Sequence, residues 1–469
     1  MRSRAAWAAL GPVCLGYFFV LLDVTVVNVA LGSMASDLGT SRDGLQWVVD
    51  GYALVLASVM LSAGDIGDLL GRRRIFIGGL LAFGASSVVC ALAPSVAVLV
   101  GARALQGIGA AAILPTSLAI INHAFAESEE RTKAIGIWAA LGSLALVAGP
   151  LAGGILVDAI DWRAIFWLNV PLVAVALALT VALVEESSDP SERSIDLRGQ
   201  LLAMGALAGI VFFLIEGGRL GWVSPAVLLA LVAAILCAVA FVRTELRRRD
   251  PMLQLGYFRD RTFSAANAGS GLMNLGTVGA LFAFSIYLQQ GEGESPIQTG
   301  LHILPWTGTL AVFAVLGGGI AQRLGPRLPA GLGLGLTGVS FVFVALLPSQ
   351  AGAIALIALG VAGVGLGIAT PALVSGATAA VPAPRAGMAA AVNNTARQAG
   401  GAIGVALIGA IAGIRIAMGV AGGILLLGGT IALTLIGEQG SKRRTTAPAT
   451  SPGPSFPPGR RGQAPPSSA

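Results

Sequence analysis

Of the 469 residues, 55% are apolar and only 11% charged, and the mean hydropathy is +0.83; a soluble domain carries about 25% charged residues, so most of this chain is solvated by lipid. The net charge of +6 comes from short basic clusters between apolar runs, which excludes a nucleic-acid-binding surface. Cys14, Cys90 and Cys237 lie inside apolar runs without metal-ligand spacing, and His123 and His302 are isolated, so no disulfide framework, metal site or cofactor is expected and nothing reads as an enzyme.

A membrane-crossing helix needs about 20 apolar residues. By that ruler fourteen runs begin near residues 8, 46, 75, 97, 135, 164, 200, 225, 263, 299, 329, 351, 388 and 416. The expected fold is an all-α polytopic membrane protein: a six-helix bundle over 1–184, a polar linker over 185–199, two further helices over 200–242, a basic loop over 243–262, a second six-helix bundle over 263–437 and a disordered Pro-, Ser- and Arg-rich tail over 438–469. With the N-terminus inside, 23 of the 29 Lys and Arg residues fall on the cytoplasmic side, four (Arg42, Arg163, Arg219 and Arg415) lie outside, and Arg103 and Arg397 lie within helices. That asymmetry places both termini in the cytoplasm.

The first run follows Arg2 and Arg4 but is too long for a signal peptide, and it contains Asp23. A charged group at mid-helix costs about 2.5–3.5 kcal/mol on insertion scales, which makes an intramembrane carboxylate a functional candidate; a buried, permanently protonated Asp is the plainer alternative. The second run opens on Gln46-Trp47-Val48-Val49-Asp50-Gly51-Tyr52 and ends in the turn Gly64-Asp65-Ile66-Gly67-Asp68-Leu69-Leu70-Gly71-Arg72-Arg73-Arg74. Its glycines permit a tight turn, its arginines hold it on the cytoplasmic face, and Asp68 needs a positive partner. The fourth run carries Arg103, which cannot shed its proton. Counting 1.5 Å per residue puts Arg103 roughly 9 Å and Asp23 roughly 10 Å below the outer surface, with Asp50 about one turn below it. Three charged residues in runs 1, 2 and 4 therefore share a depth.

In the fifth run Gly142, Gly149 and Gly153 line one helical face, and Pro150 and Gly154 sit beside it. Such a stripe lets another helix approach closely. The Gly-rich stretches 331–338 and 360–367 are read in the same way, as helix-packing segments. In the second half Gly318-Gly319-Ile320-Ala321-Gln322-Arg323-Leu324-Gly325-Pro326-Arg327 echoes the first turn, with Gln322 where Asp68 stands in the first copy, as expected of an internal repeat. The thirteenth run places Asn393, Arg397, Gly401 and Gly404 on one face, with Arg397 roughly 14 Å inside the membrane.

The spacing of Gly64, Asp68, Gly71, Arg72 and Arg73 resembles the helix 2–3 loop motif of the major facilitator superfamily, with Leu69 where the family usually has an arginine. Residues 22–31 are similar to the first-helix motif of its fourteen-helix drug/proton antiporters, with Gly32 replacing the usual proline. Arg103 matches the family's fourth-helix arginine. The string Gly149-Pro150-Leu151-Ala152-Gly153-Gly154 is similar to the exporters' fifth-helix motif, and Asp161-Trp162-Arg163 through Pro171 also looks like the fourteen-helix exporter pattern.

The resemblance implies alternating-access export of an amphipathic drug, dye or antibiotic across the plasma membrane by a monomer, in exchange for protons. No G-x-x-x-x-G-K-[ST] string is present for ATP. It further implies proton coupling by Asp23, Arg103 and Asp50, a conformational gate of Gly64, Asp68, Gly71, Arg72, Arg73 and Arg397, and a midplane cavity lined by Asp23, Asn28, Asn274, Tyr287, Trp306 and Asn393. A proton-coupled symporter, an exporter of one specific metabolite, and a non-transporting receptor or scaffold are the other readings. The first would share the turn but lack the fifth-helix string, and the last would need no mid-membrane charge.

Overall fold

The computed structural model describes residues 2–125, 128–188, 196–248, 251, 253–350, 352–382 and 385–437. The tail expected over 438–469, residues 189–195 of the linker and part of the basic loop lie outside the described residues. The rest is built from fourteen long helices: α1 (Arg2–Leu38), α2 (Arg42–Leu70), α3 (Arg72–Ala91), α4 (Val96–Ala124), α5 (Ser128–Ala159), α6 (Ala164–Leu183), α7 (Leu197–Leu220), α8 (Pro225–Arg247), α9 (Arg261–Ile286), α10 (Pro296–Leu324), α11 (Arg327–Leu346), α12 (Ala353–Ala379), α13 (Ala386–Gly409) and α14 (Ile414–Leu435). Each begins within a turn or two of the run expected for it.

Twelve of these helices are long and apolar enough to cross a membrane. The second, α2, passes the same test as a broken span, bent by 54° between Met60 and Ser62. The fourteenth-helix arithmetic closes on α13, which is long enough but not apolar enough: Asn393, Asn394, Thr395, Arg397 and Gln398 fall in one stretch of it. The chain is a multi-pass membrane protein.

Lipid offers no hydrophobic drive for one helix to leave it for another, so association rests on close packing of small residues. The glycine stripe of α5 does this against α1. A Cβ on Gly153 would lie 2.6 Å from the side chains of Val26 and Val29, and one on Gly149 would lie 2.9 Å from Cβ of Thr25. The Gly-rich stretches of α11 and α12 pack on their neighbours in the same way, Gly338 against the Gly422 carbonyl and Gly367 against the Leu310 carbonyl, each at 2.8 Å for an added Cβ.

Helices α1–α6 and α9–α14 pack mainly among themselves, and the two groups meet through α5 with α10 and α2 with α13. Helix α7 packs along α2 and α13 and pairs with α8. Polar contacts fix it to α2 at both ends: the Trp47 indole donates to Glu216 at 2.9 Å, and the Ser62 hydroxyl donates to Gln200 at 2.5 Å. The two inserted helices thus lie at the side of the bundle pair.

Among the described residues, a set of hydrogen bonds joins the two groups at the end where α1 turns into α2. Gln46 Nε2 donates to the carbonyls of Val405 (2.8 Å) and Ala406 (3.1 Å). Gln289 accepts from Gly32 N at 2.7 Å and donates to the Asn28 carbonyl at 3.1 Å. Asp158 accepts from Ser295 Oγ and Ile297 N. Between them Gly154 of α5 faces the backbone of Pro296 and Ile297, and Gly300 of α10 faces the Pro150 carbonyl. Toward the α2–α3 end, Asn394 Nδ2 reaches Met60 Sδ at 3.5 Å. The structure is closed at the α1–α2 end.

Candidate functional site

Four helices of the first group converge on Asp23. Gly51 and Gly107 bring α2 and α4 together, since an added Cβ would lie 3.2 Å from the Val100 carbonyl and 2.7 Å from the Tyr52 carbonyl respectively. That approach lets Arg103 of α4 reach across the bundle. Its Nη1 donates to Asp23 Oδ2 and, at 2.6 Å, to Gln106 Oε1, while its Nε donates to the Val48 carbonyl at 3.2 Å. The guanidinium also lies over the Tyr52 ring, 4.3 Å from its centroid.

The other carboxylate oxygen, Asp23 Oδ1, accepts from Gln106 Nε2 and from Asn169 Nδ2, each at 3.0 Å. Both amides also donate to Ser87 Oγ of α3, at 2.9 and 3.3 Å. Asp23, Gln106, Asn169 and Ser87 are fully buried and Arg103 is 1% exposed. This is a neutral cluster in the middle of a bundle, in which every charge is answered by another charge or by an amide.

Asp23 and Arg103, matched by depth in the sequence, are thus in contact. Asp50 is not part of the cluster. It is fully buried, with neither oxygen hydrogen-bonded among the described residues. It lies on the α2 face that carries Gln46 and Leu54, four residues to either side, and both of those pack against α13. Gln106 and Ser87 escaped the sequence reading, and Asn169 stood unremarked in its α6 string, because lone polar residues in apolar helices look like ordinary packing contacts.

The turn after α2 is built on Gly71, whose φ of +109° disfavours any residue with a Cβ. Asp68 pairs with Arg72 of the next turn at 2.8 Å. A residue outside the expected motif completes the arrangement: Glu186, just past α6, accepts from the backbone N–H of Arg73 (3.1 Å) and Arg74 (3.2 Å) at the start of α3. A carboxylate there answers the free N–H groups and positive dipole end of the helix. Arg73 Nη2 in turn donates to the Val181 carbonyl at 2.7 Å, tying α3 to α6. Gly64 approaches Pro115 of α4, at 3.6 Å for an added Cβ.

The residues read as cavity lining are distributed. Asn393 is fully buried between α13 and α9, accepting from Ser270 Oγ at 3.1 Å and donating to the Ala266 carbonyl at 3.3 Å. Trp306 is buried inside the second group, edge-on to Phe341 with 5.0 Å between centroids. The Tyr287 hydroxyl donates to Glu292 at the far end of α9. Asn28 Nδ2 donates to the Val24 carbonyl of its own helix at 2.9 Å. Asn274 is half-buried on α9, and Arg397 is half-buried on α13.

Comparison with known proteins follows this geometry. A family model described as Major Facilitator Superfamily matches residues 13–405 and 268–466. The chain is 40% identical to a multidrug resistance protein, Stp, of Mycobacterium tuberculosis (strain CDC 1551 / Oshkosh), covering 85% of this chain and 74% of that protein. It is 34% identical to a methylenomycin A resistance protein of Streptomyces coelicolor, covering 92% and 93% of the two chains. It is 35% identical to the puromycin resistance protein pur8 of Streptomyces alboniger, covering 92% of each. Among solved structures it is similar in fold to the peptide transporter POT in complex with sulfate, with a TM-score of 0.69 at 17% identity over 92% of this chain and 97% of that one.

Proposed function

The chain belongs to the major facilitator superfamily, and on that premise we propose that it is a proton-coupled exporter of amphipathic drugs, dyes or antibiotics, of the fourteen-helix antiporter branch. The observation that carries this reading is the buried Asp23–Arg103 pair, set between the amides of Gln106 on α4 and Asn169 on α6. A charge pair at this depth is costly in lipid and marks proton or substrate pathways. Relatives that share most of the chain are named for drug and antibiotic resistance, which favours export over uptake. The domain boundaries given above are part of the same proposal, as is a plasma-membrane location with both termini cytoplasmic.

In this orientation the α1–α2 end is extracellular and the structure is closed to the outside. Desolvation favours a neutral carboxyl, whereas an adjacent guanidinium favours a charged one. Any motion that separates Arg103 from Asp23 therefore changes the carboxylate's hold on a proton, which is the coupling step. Asp50, at the α2–α13 contact, is a second proton candidate. The test is expression in a sensitive host: resistance to a panel of dyes and antibiotics, lost when the proton gradient is collapsed, supports export.

The gate follows from the same assignment. In the state described here Asp68 binds Arg72 of its own turn. In the outward-open state it would engage a basic group or a helix N-terminus of the second group, near Gly387–Arg397, and lock the cytoplasmic side shut. Asp68→Asn is expected to slow transport and shift the population toward inward-open. Labelling of cytoplasmic-side cysteines should rise, and unchanged labelling would refute the lock.

Substrate charge is constrained too. Beyond residue 260 and among the described residues, the acidic side chains are Glu292 and Glu294, outside the membrane core and engaged by Tyr287 and His302. Two positive charges entering a low-dielectric cavity need compensation, and Asp23 is committed to the proton. Monocationic or neutral dyes should therefore be exported better than their dicationic analogues. Competition between matched dyes checks this, and preferred export of the dication would contradict it.

A further inference from the structure

Two arginines lie within the membrane-spanning helices of the two groups, and the fold treats them differently. Arg103 has a carboxylate, an amide, a backbone carbonyl and an aromatic face. Arg397 has none of these among the described residues. It is the twelfth residue of the 24-residue α13, about 16 Å along the axis from the helix start at 1.5 Å per residue. Its Nε is buried without a hydrogen-bond partner, and no carboxylate among the described residues pairs with its guanidinium. The Asp23 oxygens are held by Arg103, Gln106 and Asn169, and Asp68 is held by Arg72. An arginine cannot neutralise itself by losing its proton, and an unanswered charge at this depth is costly.

Asn394, about one turn before Arg397 on α13, reaches Met60 Sδ of α2 at 3.5 Å, and Met60 shares an apolar cluster with Tyr17 of α1 and Trp138 of α5, so this stretch of α13 faces Tyr17 across the boundary between the two groups. Tyr17 is stacked on Trp138 of α5, with ring centroids 3.8 Å apart and planes within 16°. Gly142 permits that stack, because a Cβ there would strike the Tyr17 ring. Tyr17, Asn394, Arg397 and Gln398 are all half-buried rather than sealed. A fixed cation on one side of the boundary therefore stands near a flat aromatic pair on the other.

We infer that Arg397 is an anion-binding group of the central substrate site, and that preferred substrates carry a carboxylate beside a planar ring system. The carboxylate would take the fork of the guanidinium, a charge-assisted and directional contact, while the ring lies against Tyr17 and Trp138. This deepens the export reading and rests on it. It is also compatible with the disfavour for dications, since a fixed guanidinium repels a second positive charge.

The test uses the full-length chain in phosphatidylcholine nanodiscs and two dyes that share one xanthylium cation: rhodamine B, with a free carboxylate, and its ethyl ester. Fluorescence anisotropy should show the acid binding about tenfold more tightly than the ester, a factor typical of one charge-assisted contact. Arg397→Gln should erase that difference by weakening the acid, with the ester bound no more weakly than by the native chain, and an unchanged size-exclusion profile and melting temperature show that the variant is folded; Arg397→Lys should keep part of it. Equal affinities in the native chain, or a variant that weakens both dyes alike, would overturn the inference. Phosphatidylglycerol discs separate a substrate carboxylate from a lipid phosphate. Retention of the preference there supports the substrate, and its loss assigns the guanidinium to lipid and ends the proposal. Failure of the export reading would look different: neither dye would move on an imposed proton gradient, whatever their affinities.

Discussion

Asp23→Asn is expected to reduce proton-driven efflux to background while the protein still inserts and folds. The substitution keeps the side chain's volume and an oxygen that can accept from Gln106 and Asn169, both now 3.0 Å from Oδ1. What it removes is the charge that answers Arg103. Breaking one partner of a buried pair typically costs about 3–5 kcal/mol, so a lower melting temperature should accompany the lost activity. The Val48 carbonyl, Gln106 and the Tyr52 ring remain to hold the guanidinium, which is why the bundle should survive. If the variant still concentrates substrate at the native rate, the proton is carried elsewhere and Asp50 becomes the first place to look.

Joint replacement of Gly154 and Gly300 by alanine should cut transport by at least about tenfold, the equivalent of about 1.4 kcal/mol against the closed state. A Cβ on Gly154 would lie 2.6 Å from Ile297 Cα and 2.9 Å from the Pro296 carbonyl, and one on Gly300 would collide with the Pro150 carbonyl. These are backbone atoms, so no side-chain rotation relieves the contact. The individual helices should not suffer, because alanine is a better helix former than glycine by about 1 kcal/mol. The cost therefore falls on closing α5 against α10. Cysteines placed at the α1–α2 end should become more accessible in the double variant. Gly308→Ala, also on α10 but with open space around its Cβ, serves as the control and should be neutral. Native transport and native labelling in the double variant would show that this contact is not the outer gate.

The helix count and order were legible because fourteen apolar runs separated by charged turns admit few other readings, and the start of α13 was found even though its polar stretch keeps it below the apolarity of its neighbours. Depth was legible as well, since a fixed rise per residue is enough to level Asp23 with Arg103. Direction was not. A helix apolar on every side has no amphipathic stripe to reveal which face meets protein, so Trp306 could be assigned to a cavity although it packs on Phe341. For the same reason Asp50 could be levelled with the Asp23 cluster although it points elsewhere. Glu186 was hidden differently: it belongs to a polar linker, where one more carboxylate carries no signal until the start of α3 is seen beside it. Arg397 was visible as a charge in the wrong solvent, but only the assembled helices show that no described carboxylate answers it.

Proton exchange against substrate is the central claim, and proteoliposomes that contain this chain alone test it most directly. With an acidic lumen and a neutral bath, a monocationic dye in the bath and a pH indicator in the lumen can be followed together. The account predicts that the dye accumulates inside against its own gradient while the lumen loses protons in step with it, and that Asp23→Asn liposomes do neither. Dye movement that is indifferent to the imposed pH difference, or dye accumulation with no proton release, would contradict it.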